Sequence, residues 1–247
     1  MTFYHLNELP PSLVQVAQQP AFLDFPRRHL PDHFHYTGPW AERGDGADGA
    51  VPWDRLDGHP LIYASLGTLQ NRMAHVFRII AEACSGLEAQ LVLALGRQGA
   101  PAPENLPGDP IVVGYAPQGA LLRRASLVIT QGGLNTTLES LSEGLPMVVV
   151  PIANDQPGIA ARVAHRGGGE FIPVRRLTAP KLREAVRRGL ATPGYRERSA
   201  KFAGDLRRAN GQAEAAALIE TAFTSRQRVT QVRRREWPQN GTLPLRK

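Results

Sequence analysis

The stretch IVVGYAPQGALLRRASLVITQGGLNTTLESLSEGLPMVVVPIANDQ, residues 111–156, decides the fold. It contains three short apolar runs, IVV (111–113), LVIT (127–130) and MVVV (147–150), and Leu-rich segments with helical spacing lie between them. Continuous apolar runs of this length are typical of strands that are buried on both faces of a parallel sheet. The alternation of strand and helix therefore predicts an α/β fold, a doubly wound parallel sheet with helices on both faces.

The same alternation continues on both sides of this stretch. LIYAS (61–65) and QLVLAL (90–95) predict two earlier strands, and the apolar residues from Met73 to Cys84 fall on one face of a helix between them. Thr178 followed by Pro180 is typical of a helix start. The remaining predicted elements are helices over 157–166, 178–191 and 196–223 and a strand near 170–172.

Composition divides the chain into three predicted segments. Residues 1–58 are rich in proline and aromatic residues and end in a Gly- and Asp-rich linker, whereas residues 59–225 carry the strand–helix alternation. Residues 226–247 hold seven cations against Glu236 alone, and so they account for six of the seven net positive charges. We expect this tail to be disordered, and because the rest of the chain is nearly neutral we predict no nucleic-acid partner.

Composition also limits the compartment and the chemistry. No apolar run approaches the ~20 residues of a membrane span, and MTFYHLNELPPS at the N-terminus lacks the pattern of a signal peptide. Cys84 is the single cysteine, so it cannot form an internal disulfide, and the sequence shows no metal-ligand cluster. We therefore expect a cytoplasmic protein with no transmembrane segment and no metal cofactor.

Ligands of open parallel sheets bind outside the carboxyl ends of the strands. Glycine, proline and hydrogen-bonding side chains dominate the loops predicted there, which are 65–68, 114–118, 130–136 and 151–156. In the third loop Gly132 and Gly133 precede Asn135 and Thr136, which open a helix whose N-terminus suits a pyrophosphate. These residues alone leave open that the glycines serve only a turn and that Glu139 is an exposed helix carboxylate.

A longer pattern nevertheless resembles a known family. Tyr115-Ala-Pro-Gln118, then Gln131-Gly-Gly-Leu-Asn135-Thr136 with Glu139, then Gly144-Leu-Pro146 and Asp155-Gln156 are similar to the signature of UDP-dependent glycosyltransferases. LIYASLGT (61–68) resembles the phosphate-side loop of that family, and HFHYTGPW (33–40) resembles its interdomain junction. The resemblance covers about residues 20–225 and is closest to the bacterial macrolide and carotenoid (zeaxanthin-type) branch. It implies the Rossmann-like C-terminal half of a GT-B glycosyltransferase.

The resemblance also implies a role for each matching residue. Tyr115 would stack on uracil, Gln118 would lie beside the nucleoside, and Glu139 would hold both ribose hydroxyls. The family carries histidine where this chain has Gln131, so a hydrogen-bond donor is kept there and a potential positive charge is lost. The diphosphate would lie against Ser65, Thr68, Gly133, Asn135 and Thr136, and the sugar hydroxyls would contact Asp155 and Gln156.

The implied activity is the inverting transfer of a hexose, glucose from UDP-glucose, to a hydroxyl group of a small lipophilic acceptor, with no cofactor. The general base would be a histidine of an N-terminal acceptor domain. We expect that domain to be missing, so the chain would bind donor but be inactive alone. Two alternatives stay open: a non-catalytic nucleotide-sugar-binding protein or subunit of a split enzyme, and a UDP-sugar epimerase of the same fold. An epimerase needs crevice bases, and the sequence offers only Glu139 and Asp155.

Overall fold

The computed structural model of this chain describes residues 13–40, 51–69 and 73–231. These residues divide into two compact units, a larger one within 41–209 and a smaller one formed by parts of 1–40 and 210–247. In chain order the strands and α-helices are β1 (Gln15–Ala17), β2 (Phe34–Tyr36), β3 (Leu61–Ser65), α1 (Ala74–Cys84), β4 (Gln90–Ala94), β5 (Ile111–Val113), α2 (Gln118–Arg124), β6 (Ala125–Thr130), α3 (Leu134–Ser142), β7 (Met147–Val149), α4 (Gln156–His165), β8 (Gly169–Phe171), α5 (Ala179–Ala191), α6 (Pro193–Arg208) and α7 (Gly211–Ser225).

The larger unit is built on a six-stranded sheet with the order β5-β4-β3-β6-β7-β8, and every neighbouring pair is parallel. All five residues of the central strand β3 are buried, which is why its sequence is a continuous run rather than an alternation of apolar and polar residues. Ile62 and Ala64 share a core with Phe77 of α1 and Leu182 of α5. The sequence-based prediction of a doubly wound α/β domain is therefore confirmed.

The predicted helices and strands of the larger unit occur in the predicted order, and α5 follows Thr178 as expected. The prediction of one helix over 196–223 is wrong, because α6 ends at Arg208 and α7 begins at Gly211. Ala209 is extended between them. A Cβ atom on Gly211 would lie 2.6 Å from the carbonyl oxygen of Gly38 in the smaller unit, so the start of α7 requires a residue without a side chain.

The smaller unit contains the parallel pair β1 and β2, in the register Gln15 to Phe34, and helix α7. The first residues of the predicted disordered tail also belong to it. The backbone N–H of Val229 donates to the Leu13 carbonyl at 2.8 Å, and that of Gln231 donates to the Asp32 carbonyl at 2.7 Å. The rest of the tail, 232–247, lies outside the described residues. The domain boundaries predicted at 58/59 and 225/226 stay predictions, because packing alone does not show which segment folds and binds ligand by itself.

A three-residue cluster fastens the edge strand β8 to the two helices that follow it. The carboxylate of Glu170 accepts hydrogen bonds from Arg188 Nε and Nη2 at 2.8 and 2.7 Å and from the Tyr195 hydroxyl at 2.8 Å. The Arg188 hydrogen bond is the main reason that the pKa of Glu170 lies below its usual value. The cluster stabilises the docking of α5 and α6 against β8 because a bidentate arginine fixes both the distance and the angle of the carboxylate.

We predict that Arg188→Gln lowers the free energy of unfolding by about 1 kcal/mol, since it removes a charge-assisted pair whose arginine is half exposed. The matched control is Arg187→Gln on the same helix, whose 3.3 Å contact with Glu184 is exposed at both ends. The control should cost less than about 0.5 kcal/mol. Because the pKa of Glu170 is lowered, the difference between wild type and Arg188→Gln should be full above the ordinary glutamate pKa of about 4.3 and disappear as the pH falls through the lowered value. Urea unfolding of the three proteins at several pH values measures this, and equal losses in both variants would contradict it.

Candidate functional site

The strands of the large sheet end in one straight row. Their pairing register aligns Val113, Ala94, Ser65, Thr130, Val149 and Phe171 across the six strands. The chain runs outward from β3 to β5 on one side and from β6 to β8 on the other, so the order reverses between β3 and β6. A reversal of this kind leaves a crevice at the carboxyl ends, where ligands of such sheets bind.

The loops after β3 and β6 line this crevice with backbone groups and with the side-chain amide of Gln131. Ser65 is buried, and its Oγ accepts from the backbone N–H of Gly67 at 3.2 Å. Gly67 has a φ of +72°, and a Cβ atom there would overlap Gln131 Nε2. A Cβ atom on Gly133 would lie 3.0 Å from the same nitrogen. The Gln131 amide nitrogen therefore lies close to both Gly67 and Gly133. We call the two segments that contain these residues, 65–68 and 130–133, the cradle.

The orientation of Gln131 follows from its neighbour. Thr130 Oγ1 donates to Gln131 Oε1 at 3.0 Å, and Thr130 Oγ1 itself accepts from the backbone N–H of Gly132 at 3.3 Å. With its oxygen held in this way, Gln131 directs its amide N–H groups toward Gly67 and Gly133. The sequence predicted that Gln131 supplies a neutral donor where the related family carries a histidine. The structure gives this donor a defined direction, because the Gln131 side chain is buried and hydrogen-bonded to Thr130.

Helix α3 begins at the cradle, with Gly133 at its N-cap position. The first N–H groups of any α-helix have no acceptor within the helix, and they carry the positive end of its dipole. Because α3 starts directly after β6, these groups lie at the reversal of strand order. Asn135 is exposed on this first turn, and Thr136 is half-buried.

A second polar group lies beside the cradle and is centred on Gln118, at the start of α2. Gln118 Oε1 accepts from the Tyr63 hydroxyl at 3.2 Å and from Thr136 Oγ1 at 3.3 Å. Gln118 Nε2 donates to Glu139 Oε2 at 2.7 Å. We call these four residues the Gln118 network. It connects β3, α2 and α3 through side chains that are half-buried or buried.

Burial raises the pKa of Glu139 above its usual value, and the hydrogen bond from Gln118 opposes that shift. A carboxylate in this setting is an acceptor with an incomplete hydration shell, so it favours a ligand that brings hydroxyl donors. The open alternative of an exposed helix carboxylate is therefore wrong for Glu139, which is half-buried and hydrogen-bonded to Gln118.

The loop between β7 and α4 contains the other two predicted site residues. Gln156 is buried, and its Oε1 accepts from the backbone N–H groups of Ile152 and Ala153 at 2.9 and 3.0 Å. Asn154 adopts a φ of 57°, a left-handed conformation that asparagine tolerates. Asp155 is exposed at the N-cap position of α4. Gln156 therefore helps to build the loop, a function that the sequence did not predict, and the sugar contacts of Asp155 and Gln156 stay predictions.

The structure brings most predicted residues to one edge of the sheet. Ser65, Gln131 and Gly133 form the cradle, Gln118, Thr136 and Glu139 form the network, and Thr68 and Tyr115 lie exposed on the loops after β3 and β5. Sequence reasoning missed Tyr63 and Thr130. The signal for Tyr63 was present, because its position two residues before Ser65 places both side chains on the same face of a strand.

We also searched the described residues for metal sites, membrane-spanning helices and cavities. Among residues 13–40, 51–69 and 73–231, no three His, Cys, Asp or Glu side chains lie close enough to hold a metal ion. No helix within these ranges has the length and apolar character needed to cross a membrane. A polar cavity of about 390 Å³ lies beside Asp57 and Gln90, near the amino end of β4, which is the opposite edge of the sheet.

Comparison with known proteins agrees with the geometry. Residues 12–204 match the sequence profile of the family described as UDP-glucoronosyl and UDP-glucosyl transferase. The zeaxanthin glucosyltransferase of Pantoea ananas is 36% identical over 220 residues, which are 88% of this chain and 51% of that protein. The zeaxanthin glucosyltransferase of Pseudescherichia vulneris is 34% identical over 235 residues, 91% of this chain and 54% of that protein.

A solved structure supports the same relationship. The glycotransferase of kitacinnamycin superposes with a TM-score of 0.69 at 30% identity, covering 84% of this chain and 54% of that one. The chain spans about half the length of the curated relatives it matches. A family profile that covers most of the chain, together with relatives above 30% identity, shows that this chain belongs to the family of UDP-glucuronosyl and UDP-glucosyl transferases.

Proposed function

We propose that this chain binds a UDP-sugar, with UDP-glucose as the preferred donor, and that it serves as the donor-binding half of a UDP-dependent glycosyltransferase. The observation that carries the proposal is the juxtaposition of two groups at the reversal of strand order. The cradle offers neutral N–H donors, and the Gln118 network next to it offers a half-buried carboxylate. A nucleoside diphosphate needs donors for its phosphates and an acceptor for its ribose hydroxyls, and these groups supply both.

The diphosphate end rests on the cradle and the N-terminus of α3. The positive end of the helix dipole favours an anion there, and the Gln131 amide adds a donor from a fixed position. When the bond between the sugar and the diphosphate breaks, negative charge develops on the leaving oxygen. Donors that are already in place stabilise this charge without reorganising, so we propose that the leaving group needs no metal or other cofactor.

The nucleoside end rests on the Gln118 network. Glu139 accepts from the ribose hydroxyls, and Gln118 holds one carboxylate oxygen in place. Tyr115 is 59% exposed on the loop that leads to α2, which leaves its ring accessible for stacking on uracil. Asp155 is exposed near the opposite end of the crevice row and is proposed to meet the sugar hydroxyls.

The similarity to two zeaxanthin glucosyltransferases favours glucose as the sugar and a lipophilic molecule with a hydroxyl group as the acceptor. In the proposed reaction the acceptor oxygen attacks the anomeric carbon as the bond to the diphosphate breaks, and a base takes the proton of the acceptor hydroxyl. Among the described histidines of the smaller unit, His35 already has its Nε2 in contact with the Val229 carbonyl at 2.9 Å. We propose that the base comes from an acceptor-binding half.

We predict that the 247-residue chain binds UDP and UDP-glucose at least about tenfold more tightly than ATP or NAD. The preference for uridine is expected from the family to which the chain belongs, which is described as UDP-glucuronosyl and UDP-glucosyl transferase. Isothermal titration calorimetry with the four ligands at one salt concentration measures it. If ATP or NAD bound as tightly as UDP, the site would recognise the ribose and phosphates without selecting the base, and the proposal would fail.

We predict that Gly67→Ala disturbs the cradle. Gly67 has a φ of +72°, and the new methyl group would overlap Gln131 Nε2. The matched control is Gly86→Ala, which has a φ of +71° and no atom within 4 Å of the added carbon. Both variants pay about 1 kcal/mol for the left-handed backbone, but Gly67→Ala alone displaces the cradle amide. It should weaken UDP binding by about tenfold or more, while Gly86→Ala binds UDP normally. Calorimetry together with thermal unfolding separates the two effects, and equal UDP affinities would disprove the position of the diphosphate.

A third prediction concerns turnover by the chain alone. A positioned general base contributes about 10²–10⁴-fold to such a transfer, and holding the acceptor in register with the donor contributes more. Both are proposed to depend on the acceptor-binding half. Incubation of the purified chain with UDP-glucose and a panel of lipophilic hydroxylated acceptors, followed by mass spectrometry, should therefore give no multiple turnover. Robust product formation would place the base within this chain.

A further inference from the structure

We propose that Tyr63 is a positioning residue for the nucleoside: its hydroxyl group fixes the Gln118 amide, and through it the Glu139 carboxylate that receives the ribose hydroxyls. The inference rests on the proposed UDP binding and adds a residue that would never touch the ligand. Tyr63 was predicted only as part of an apolar strand.

The buried hydroxyl group of Tyr63 has two side-chain partners, Gln118 and Ser65. Tyr63 lies in the middle of β3 and is 2% exposed, with Val92 and Val128 as its register partners on the two neighbouring strands. A buried tyrosine hydroxyl needs a hydrogen bond, and this one donates to Gln118 Oε1 at 3.2 Å. A phenylalanine would fill the same space at no such cost, so the hydroxyl group is required by the network rather than by packing.

The geometry at Gln118 explains what the hydroxyl group does. Two hydroxyl donors, from Tyr63 and Thr136, meet at Gln118 Oε1, and the opposite side of the amide donates to Glu139 at 2.7 Å. An amide held at its oxygen by two donors has its N–H groups directed away from them, toward the carboxylate. Tyr63 belongs to β3, all five residues of which are buried, so it anchors this arrangement to a rigid element.

Loss of the Tyr63 hydroxyl should therefore act on the carboxylate from a distance. With one donor gone, Gln118 holds Glu139 less firmly, and the hydrogen bond that opposes the rise of its pKa weakens. The ligand would meet a carboxylate that is less well aligned and that takes up a proton at a higher pH. Only a ligand with ribose hydroxyls depends on that carboxylate, and this dependence separates positioning from general support of the fold.

The test compares UDP with 2′,3′-dideoxy-UDP, which keeps the base and both phosphates and lacks both ribose hydroxyls. The measured quantity is the ratio of the two affinities by calorimetry, so that any change at the cradle cancels. We expect Tyr63→Phe to lower the preference for UDP by about 3–10-fold and to move the acid limb of UDP binding to higher pH. In a Glu139→Gln background, where the carboxylate is already lost, Tyr63→Phe should leave the ratio unchanged.

The matched control is Tyr195→Phe, which also removes a tyrosine hydroxyl that donates to a carboxylate, that of Glu170 on β8. This control should leave the ratio and the pH profile as in wild type. Thr136→Val, which removes the second donor to Gln118 Oε1, provides the test if Tyr63→Phe does not fold, and it should lower the ratio in the same direction.

An unchanged ratio in both variants, with UDP still bound by wild type, would overturn the role of Tyr63 and leave the proposed function intact. Equal weakening of UDP and its dideoxy analogue by Tyr63→Phe would have the same meaning, since it would show support of the fold alone. Failure of wild type to bind UDP at all would overturn the proposed function and this inference with it.

Discussion

The alignment of β3 with β6 is the constraint on which the site depends. Parallel pairing sets Ser65 opposite Thr130, and the chain leaves these two ends in opposite directions. The loops that follow the two strands flank this reversal, where a Cβ atom at position 67 would overlap the Gln131 amide nitrogen and one at position 133 would lie 3.0 Å from it. The same register places the start of α3 at the reversal. Backbone donors, a helix end and a fixed amide are thus consequences of one pairing.

Within the described residues, the cradle and the Gln118 network rely on neutral amides. The Gln131 amide occupies the cradle where the related family carries histidine, and Glu139 is paired with the neutral amide of Gln118 rather than with an arginine. A salt-bridged carboxylate would have its acceptor capacity satisfied by its partner, whereas an amide occupies one oxygen and leaves the group short of hydration. The raised pKa of Glu139 is the sign of that shortage. Neutral partners therefore keep both ends of the site receptive to a ligand that carries the missing charges and hydroxyl groups.

The sequence was sufficient for the parts of the fold that depend on periodicity. Runs such as LIYAS and the helical spacing around Phe77 have few alternative interpretations, and the order of the elements followed from them. The break between α6 and α7 was not predictable in this way, because α7 begins at a glycine that lies against the Gly38 backbone, a contact between residues distant in sequence. The role of Gln156 was hidden for a related reason. Its partners are backbone N–H groups of a loop, and any sequence offers those.

The site consists of buried, hydrogen-bonded side chains, which we call the floor, and of exposed loop residues around them, which we call the rim. Gln131, Gln118, Glu139 and Tyr63 are held by hydrogen bonds among themselves or with their neighbours on strands and helix starts. Tyr115 and Asp155 are exposed on the loops beyond them. In the proposed complex the floor meets the ribose and the diphosphate, Tyr115 meets the base, and Asp155 meets the sugar, which is the part that differs among UDP-sugars. Substitutions in loops do not disturb the sheet register, so the rim can vary while the floor continues to bind the common part of the donor.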